Sequence, residues 1–269
     1  MVTGNKKIIK NIDEFQLVCY LDDIAFSYSI FNTNTKCFEK IQRFNIRNEK
    51  LEDIIDNNIE LQNNWPSTLC AIKTTRTTFI PKPLFDKKNA KQYIEFLSPK
   101  ENDETTQFNK QVFLDCYSVC SINRNLRYLL EEKFNNLKIK SSASLLVDYA
   151  FHLSKNSPNY LLMEVSENYF HIVYIHKKIF KFYNIFTFYS QQDFLYYFMN
   201  CIKELNIMTN KTTVNILSEL DVENTLFSTL KEYIQIAFID RPSMFLYRNN
   251  ILEIPNHKHH NLFGQIICE

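Results

Sequence analysis

Four consecutive residues near the end of the chain, His257-Lys258-His259-His260, with Cys268 and Glu269 beyond them, are its densest collection of metal-ligand types. A tetrahedral ion needs convergent ligands, and consecutive histidines in an extended segment point to opposite faces. The segment is therefore read as a surface loop leading into a short terminal helix. Cys116 and Cys120 come nearest to a cysteine pair, but on an expected strand residues four apart share a face while standing too far apart for one ion. The seven cysteines are odd in number and show no C-x-x-C spacing, which suits buried thiols in a reducing compartment. His176, Lys177, Lys178 and Lys181 interleave with Phe180 and Phe182, the residue types of a single-stranded nucleic-acid surface. Strand alternation places both phenylalanines on one face opposite Lys181, as core aromatics behind a solvated edge. No histidine has a serine or cysteine beside it in a nucleophile context, and neither G-x-S-x-G nor H-E-x-x-H occurs. No catalytic residue and no metal ligand is assigned.

Glycine is the scarcest signal. The chain holds two, Gly4 and Gly264, where average usage would give roughly 19. Phosphate-cradling loops need glycine because backbone N–H groups must approach the anion in conformations a Cβ obstructs. P-loop, Rossmann and kinase-type glycine loops are excluded on this ground.

The elements that carry these residues read as a duplicated unit. FQLVCYL, IAFSYSIF and CFEKIQRF alternate as three antiparallel strands, with Ile24, Phe26, Tyr28 and Ile30 on one buried face and Ala25, Ser27 and Ser29 opposite. Asn48 is placed to cap a helix carrying Leu51, Ile54, Ile55 and Ile59, and STLCAIK reads as a short central strand. Downstream, YLLMEVS, YFHIVYIH and IFKFYNIFTF repeat the three strands, Ser190 starts a helix, and TVNILS answers STLCAIK. Between the copies lie TTFIPKPLFDKKNAKQYIEFL, the polar stretch SPKENDETTQ, a strand around QVFLDCYSV, and the helical stretches RNLRYLLEEKF and SSASLLVDYAFHL; residues 154–159 read as a hinge. The division expected is a first lobe over 1–156 and a second over 157–269, whose C-terminal segment packs back on the first. With 31 basic and 30 acidic residues there is no global field toward nucleic acid or membrane. The absence of a signal-like or membrane-length apolar run leads to a cytoplasmic expectation.

Two copies of a βββαβ unit in a chain of this length resemble the actin-like ATPase superfamily, whose lobes each carry a ribonuclease H-like sheet. Through TTFIPKPLF and the closing HHNLFGQIICE the sequence also resembles a Bacteroidota family of unknown function, domain of unknown function 3822, across essentially the whole chain. The resemblance implies an α/β, actin-like fold and two Asp-x-Gly phosphate hairpins. The first falls on Asp22-Asp23-Ile24, with Ile24 where glycine belongs. The second falls on Glu164 and Ser166, and the adenosine motif on Ser218-Glu219-Leu220, again without glycine. Residual nucleotide or metal candidates are Asp22, Asp23, Glu164 and Ser166, set against solvated turn carboxylates. The expectation is a non-catalytic binding or scaffold protein that engages another protein and uses no cofactor. A divergent ATP-dependent phosphotransferase or ATPase is the alternative, and an RNA- or ribosome-associated factor a third.

Overall fold

The alternating run at the start gives three antiparallel strands, β1 (Phe15–Leu21), β2 (Ala25–Asn32) and β3 (Cys37–Asn45), in the computed structural model, which describes residues 11–97 and 103–269. Helix α1 (Leu51–Asn57) returns the chain to β4 (Thr68–Ile72), parallel to β1. A small antiparallel sheet follows from β5 (Thr77–Pro81), β6 (Glu104–Lys110) and β7 (Cys116–Asn123), with α2 (Ala90–Glu95) against it. Helix α3 (Arg124–Lys133), β8 (Leu137–Ser141) and α4 (Ser142–Leu153) lead to the second copy. That copy runs β9 (Tyr160–Val165), β10 (Tyr169–His176), β11 (Ile179–Thr187), α5 (Gln191–Glu204), β12 (Thr213–Ser218), α6 (Thr225–Lys231) and β13 (Gln235–Phe238). The chain closes with β14 (Leu246–Tyr247), α7 (Asn249–Leu252) and α8 (His260–Ile267).

The two large sheets share one order. The first is β14-β3-β2-β1-β4-β8 and the second β11-β10-β9-β12-β13, so the expected βββαβ unit occurs twice. Helices α4 and α8 lie between the sheets, where Val18, Phe31 and Leu69 of the first share a buried cluster with Leu162, Val173 and Leu217 of the second. Two outer cores complete the layers: α1 and α3 cover the first sheet, with Ile54 and Leu130 buried, and α5 and α6 cover the second, with Phe198 and Phe227 buried. Each fully buried aromatic here contributes roughly 2–3 kcal/mol of burial free energy, so the apolar surface between the sheets holds both faces of the fold together.

Several sequence expectations are corrected. Strand β2 is buried at every position, not on one side, because Phe31 faces the cluster between the sheets while Phe26, Tyr28 and Ile30 face the outer one. Helix α1 begins after Lys50, with no side-chain cap, rather than from Asn48, and Ile59 lies beyond it at 55% exposure. The polar stretch contains a strand, β6, stabilised by pairing with β7 rather than by apolar pattern; its residues 98–102, like Gly4, lie outside the described residues. The strand expected around 111–119 begins only at Cys116. Phe180 and Phe182 pack on opposite sides of the second sheet, against the cluster between the sheets and the outer cluster respectively. The cause is a bulge at Lys181: Phe180 pairs with Ile175 and Phe182 with Tyr174, which removes Lys181 from the alternation.

Gly264 has a packing reason. A Cβ there would stand 3.3 Å from both Cδ1 and Cγ of Tyr149, so its absence lets α8 approach α4 closely.

Candidate functional site

The turn after β1 and the end of β9 face each other across the seam between the sheets. Asp22 folds back on its own turn, its Oδ1 accepting from the amides of Ile24 at 2.8 Å and Ala25 at 2.7 Å. This is an Asx-type turn, in which a side-chain oxygen replaces the backbone acceptor and the chain reverses without glycine. The other oxygen, Oδ2, accepts from the Tyr169 hydroxyl at 3.2 Å. Glu164 Oε1 accepts from Tyr20 at 3.2 Å and from Asn261 Nδ2, on α8, at 2.6 Å. Tyr20 and Tyr169 hydroxyls are 3.4 Å apart, but each has one proton and each is in reach of a carboxylate, so that contact is secondary.

Asp22 and Glu164 are therefore not the solvated turn carboxylates expected from sequence: both are buried, and Glu164 lies within β9 rather than in a turn. Burial, reinforced by the Asp22 charge, pushes the Glu164 carboxyl up to about 7 against the pull of its Asn261 and Tyr20 donors. Glu164 Oε2 has no hydrogen-bond partner and stands 4.0 Å from His171 Nε2, also unpartnered. Burial, with Lys73 nearby, drives the His171 imidazole down to about 3, so this is not an ion pair at neutral pH. His171 Nδ1 is hydrogen-bonded to the Tyr183 hydroxyl at 2.9 Å.

Asp23 points outward and pairs with Lys73, whose Nζ also sits 4.2 Å over the Tyr169 ring. Ser166, half-buried, donates its amide to Tyr169 O at 2.9 Å and closes the second turn. Thus Asp22, Glu164 and Ser166 line one space, and Asp23 is set aside from it. That space, bounded also by Tyr20, Tyr169 and Asn261, has a volume of about 20 Å³, room for about one water molecule. A groove of about 460 Å³ lies next to it, lined by Glu167, Asn168, Ser190, Leu220 and Asn224.

The turn after β12 is held by the histidine segment. Glu219 accepts the His259 amide at 2.7 Å, and its Oε2 lies 3.2 Å from His259 Nδ1. Burial opposes ionisation of Glu219, but His259, with Arg43, outweighs it and holds the carboxyl down at about 2. His257 Nε2 meets Leu220 O at 2.9 Å, and Lys258 pairs with Asp221 at 2.8 Å. His260 bridges Tyr149 at 2.9 Å and Ile239 O at 3.0 Å, and burial takes its imidazole down to about 4. The surface loop expected at 257–260 is corrected: His257, His259 and His260 are buried because they satisfy the turn after β12 and the end of β13. The terminal helix expected after it is α8. Among the described residues, no group of three or more His, Cys, Asp or Glu is placed to hold a metal ion. Burial pushes the Cys70 and Cys120 thiols up to about 12, so neither is a ready nucleophile. No helix among the described residues is long and apolar enough to cross a membrane.

Sequence reasoning missed Tyr20, Lys73, Tyr169 and Asn261, which surround the carboxylates. Tyr20 and Tyr169 read as ordinary strand residues. Asn261 lies within the closing HHNLFGQIICE, and only the return of α8 between the sheets gives it a partner.

The chain is similar in structure to a Bacteroides thetaiotaomicron protein with an actin-like ATPase fold and unknown function, at a TM-score of 0.78 and 18% identity, over 95% of this chain and 96% of that one. It is also similar to a chain of the PilM–PilN type IV pilus biogenesis complex, at a TM-score of 0.61 and 10% identity, over 88% of this chain and 92% of that one. Comparison with curated proteins finds no match. The fold is that of the actin-like ATPases, and since residues 5–236 match the model described as "Protein of unknown function (DUF3822)", the chain belongs to that family.

Proposed function

We propose that this protein is a non-catalytic binding or scaffold protein that uses the actin-like frame without nucleotide turnover and engages a protein partner. One observation supports the reading: at the seam, Asp22 and Glu164 are buried, with Asp22 and one oxygen of Glu164 occupied by Tyr169, Tyr20, Asn261 and backbone amides, around a space of only about 20 Å³. Isoleucine at position 24 also sets a side chain at the turn where a phosphate-binding hairpin would use bare backbone. A fold does not dictate its chemistry, and the PilM–PilN neighbour belongs to a complex of proteins.

Titration calorimetry with millimolar Mg-ATP and Mg-ADP tests this. Absence of saturable heat is expected. Binding that saturates and is lost in Asp22→Ala would overturn the reading.

A second reading, a divergent phosphotransferase or ATPase of this superfamily, draws on the adjoining groove. Its volume of about 460 Å³ is within the range of small-molecule sites, and Asn168 Oδ1, on its wall, is buried without a partner. Magnesium-dependent hydrolysis of ATP that disappears in Asn168→Ala and Glu164→Gln would favour it.

A further inference from the structure

The two copies of the unit differ at one edge. In the first, the chain's own β14 adds to the outer edge of β3 in parallel, Leu246 opposite Cys37 and Tyr247 opposite Phe38. Backbone bonds hold it, among them one from the Leu246 amide to Lys36 O at 2.9 Å and one from the Arg248 amide to Phe38 O at 3.2 Å. Tyr247 stacks on Phe38 with ring centroids 5.7 Å apart. Glu39 is the extra residue of a bulge, between the pairs Phe31–Phe38 and Ile30–Lys40, and its carboxylate takes the Arg248 guanidinium through both Nε and Nη2.

The second copy repeats this edge residue for residue at an offset of 142 (179 − 37 for the first residues of β11 and β3, 187 − 45 for the last). Lys178 matches Lys36, and both have positive φ, 61° and 55°. Phe180 matches Phe38, and the bulged Lys181 matches the bulged Glu39. Yet β11 ends its sheet, and among the described residues no strand pairs with its outer edge. The consequence is visible in exposure: Cys37, under β14, is 7% exposed, while its counterpart Ile179 is 56% exposed. A free edge of this length is a template for another strand.

Charge decides what would fit. At the bulge the first edge has an acid facing an arginine, and the second has Lys181, with Lys177 and Lys178 beside it. No acidic residue occurs between Glu167 and Asp193, and Lys181 has no salt-bridge partner among the described residues. A second copy of this chain is a poor occupant, because its β11 would bring lysine against lysine and its β14 would bring Arg248 against Lys181.

We propose that the outer edge of β11 at Ile179–Lys181 receives a short extended segment of a partner protein, parallel to β11, of the pattern apolar-aromatic-acidic. Its amides donate to Lys178 O and Phe180 O, and its acid pairs with Lys181. This inference rests on the binding-protein reading above and names the surface that reading requires.

Amide hydrogen exchange of the full chain tests it, with two synthetic peptides as probes at millimolar concentration. One is Phe-Leu-Tyr-Glu-Asn-Asn and the other Phe-Leu-Tyr-Arg-Asn-Asn. The acidic peptide is expected to slow exchange over 178–182 roughly threefold or more, and the basic one to leave it unchanged. In the Lys181→Glu chain, whose altered side chain is exposed in the parent and does not threaten the fold, the preference is expected to invert. No slowing over 178–182 with the acidic peptide, or equal slowing by both, would overturn the proposal. So would oligouridylate slowing these amides where the acidic peptide does not. A separate arm with Mg-ATP keeps the two readings apart: protection over 22–25 and 164–169 refutes the binding-protein reading, whereas an unresponsive β11 with no nucleotide protection refutes the edge site alone.

Discussion

Tyr20, on the first sheet, donates a hydrogen bond of 3.2 Å to Glu164, on the second, and both are buried. This contact, with Tyr169 to Asp22 at 3.2 Å running the opposite way, ties the end of β1 and the turn after it to β9 and β10. A pair of reciprocal buried bonds makes separating the two sheets here costly.

The Glu164 carboxyl titrates at about 7 in the fold against 4.5 when unperturbed. Between these values the folded state holds a proton that the unfolded chain has released, so stability falls as pH rises from about 4.5 to about 7 and then levels. Glu164→Gln removes this slope. The variant is expected to be more stable than the parent at pH values above that window, by about 3 kcal/mol, with the difference vanishing below it. Urea unfolding followed through the fluorescence of Trp65, the single tryptophan and fully buried, measures it.

Tyr169→Phe removes the donor to Asp22 Oδ2 while keeping the ring under Lys73. Leaving that buried oxygen short of a partner is expected to cost about 2 kcal/mol. A loss no larger than that of an exposed tyrosine such as Tyr189→Phe, in the same urea titration, would show that the seam is not held by this bond.

Glu219 behaves with the opposite sign. Its carboxyl is held down at about 2 from 4.5, so it contributes stability that is complete above about 4.5 and lost as pH falls toward about 2. Glu219→Gln is expected to cost about 1–2 kcal/mol at neutral pH and to flatten the acid limb. Hydrogen exchange at the His259 amide, which donates to this carboxylate, should accelerate in the variant.

Gly264→Ala places a methyl group 3.3 Å from Tyr149, a ring that is buried and fixed by its hydroxyl at His260. Alanine favours a helix by roughly 1 kcal/mol, but overpacking costs about 1–3 kcal/mol, and the ring has nowhere to yield. A net loss of stability is expected in thermal unfolding; Tyr149→Phe, which frees the ring, should reduce the loss.

The chain order of the fold was legible because its signals are local. Three alternating runs, a helix and a short apolar strand occur twice at a nearly constant spacing. The features that escaped are those whose cause lies elsewhere in the chain. Strand β6 has no apolar pattern and exists by pairing with β7. The bulges at Glu39 and Lys181 depend on register with a neighbouring strand, and alternation alone put Phe180 and Phe182 on the same face.

The amino-acid sequence by itself determined the repeated unit and the placement of Asp22, Glu164 and Glu219 at the ends of strands, since period and turn chemistry act over a few residues. Tertiary structure decided what those carboxyls became. Asp22 is enclosed beside Tyr169, and the proton affinities of Glu164 and Glu219 follow from burial and from Tyr20, Asn261 and His259, drawn from distant segments when α8 and the histidine loop pack back between the sheets. Electrostatic character depends on distance in space and on access to water, and neither is a property of neighbours along the chain.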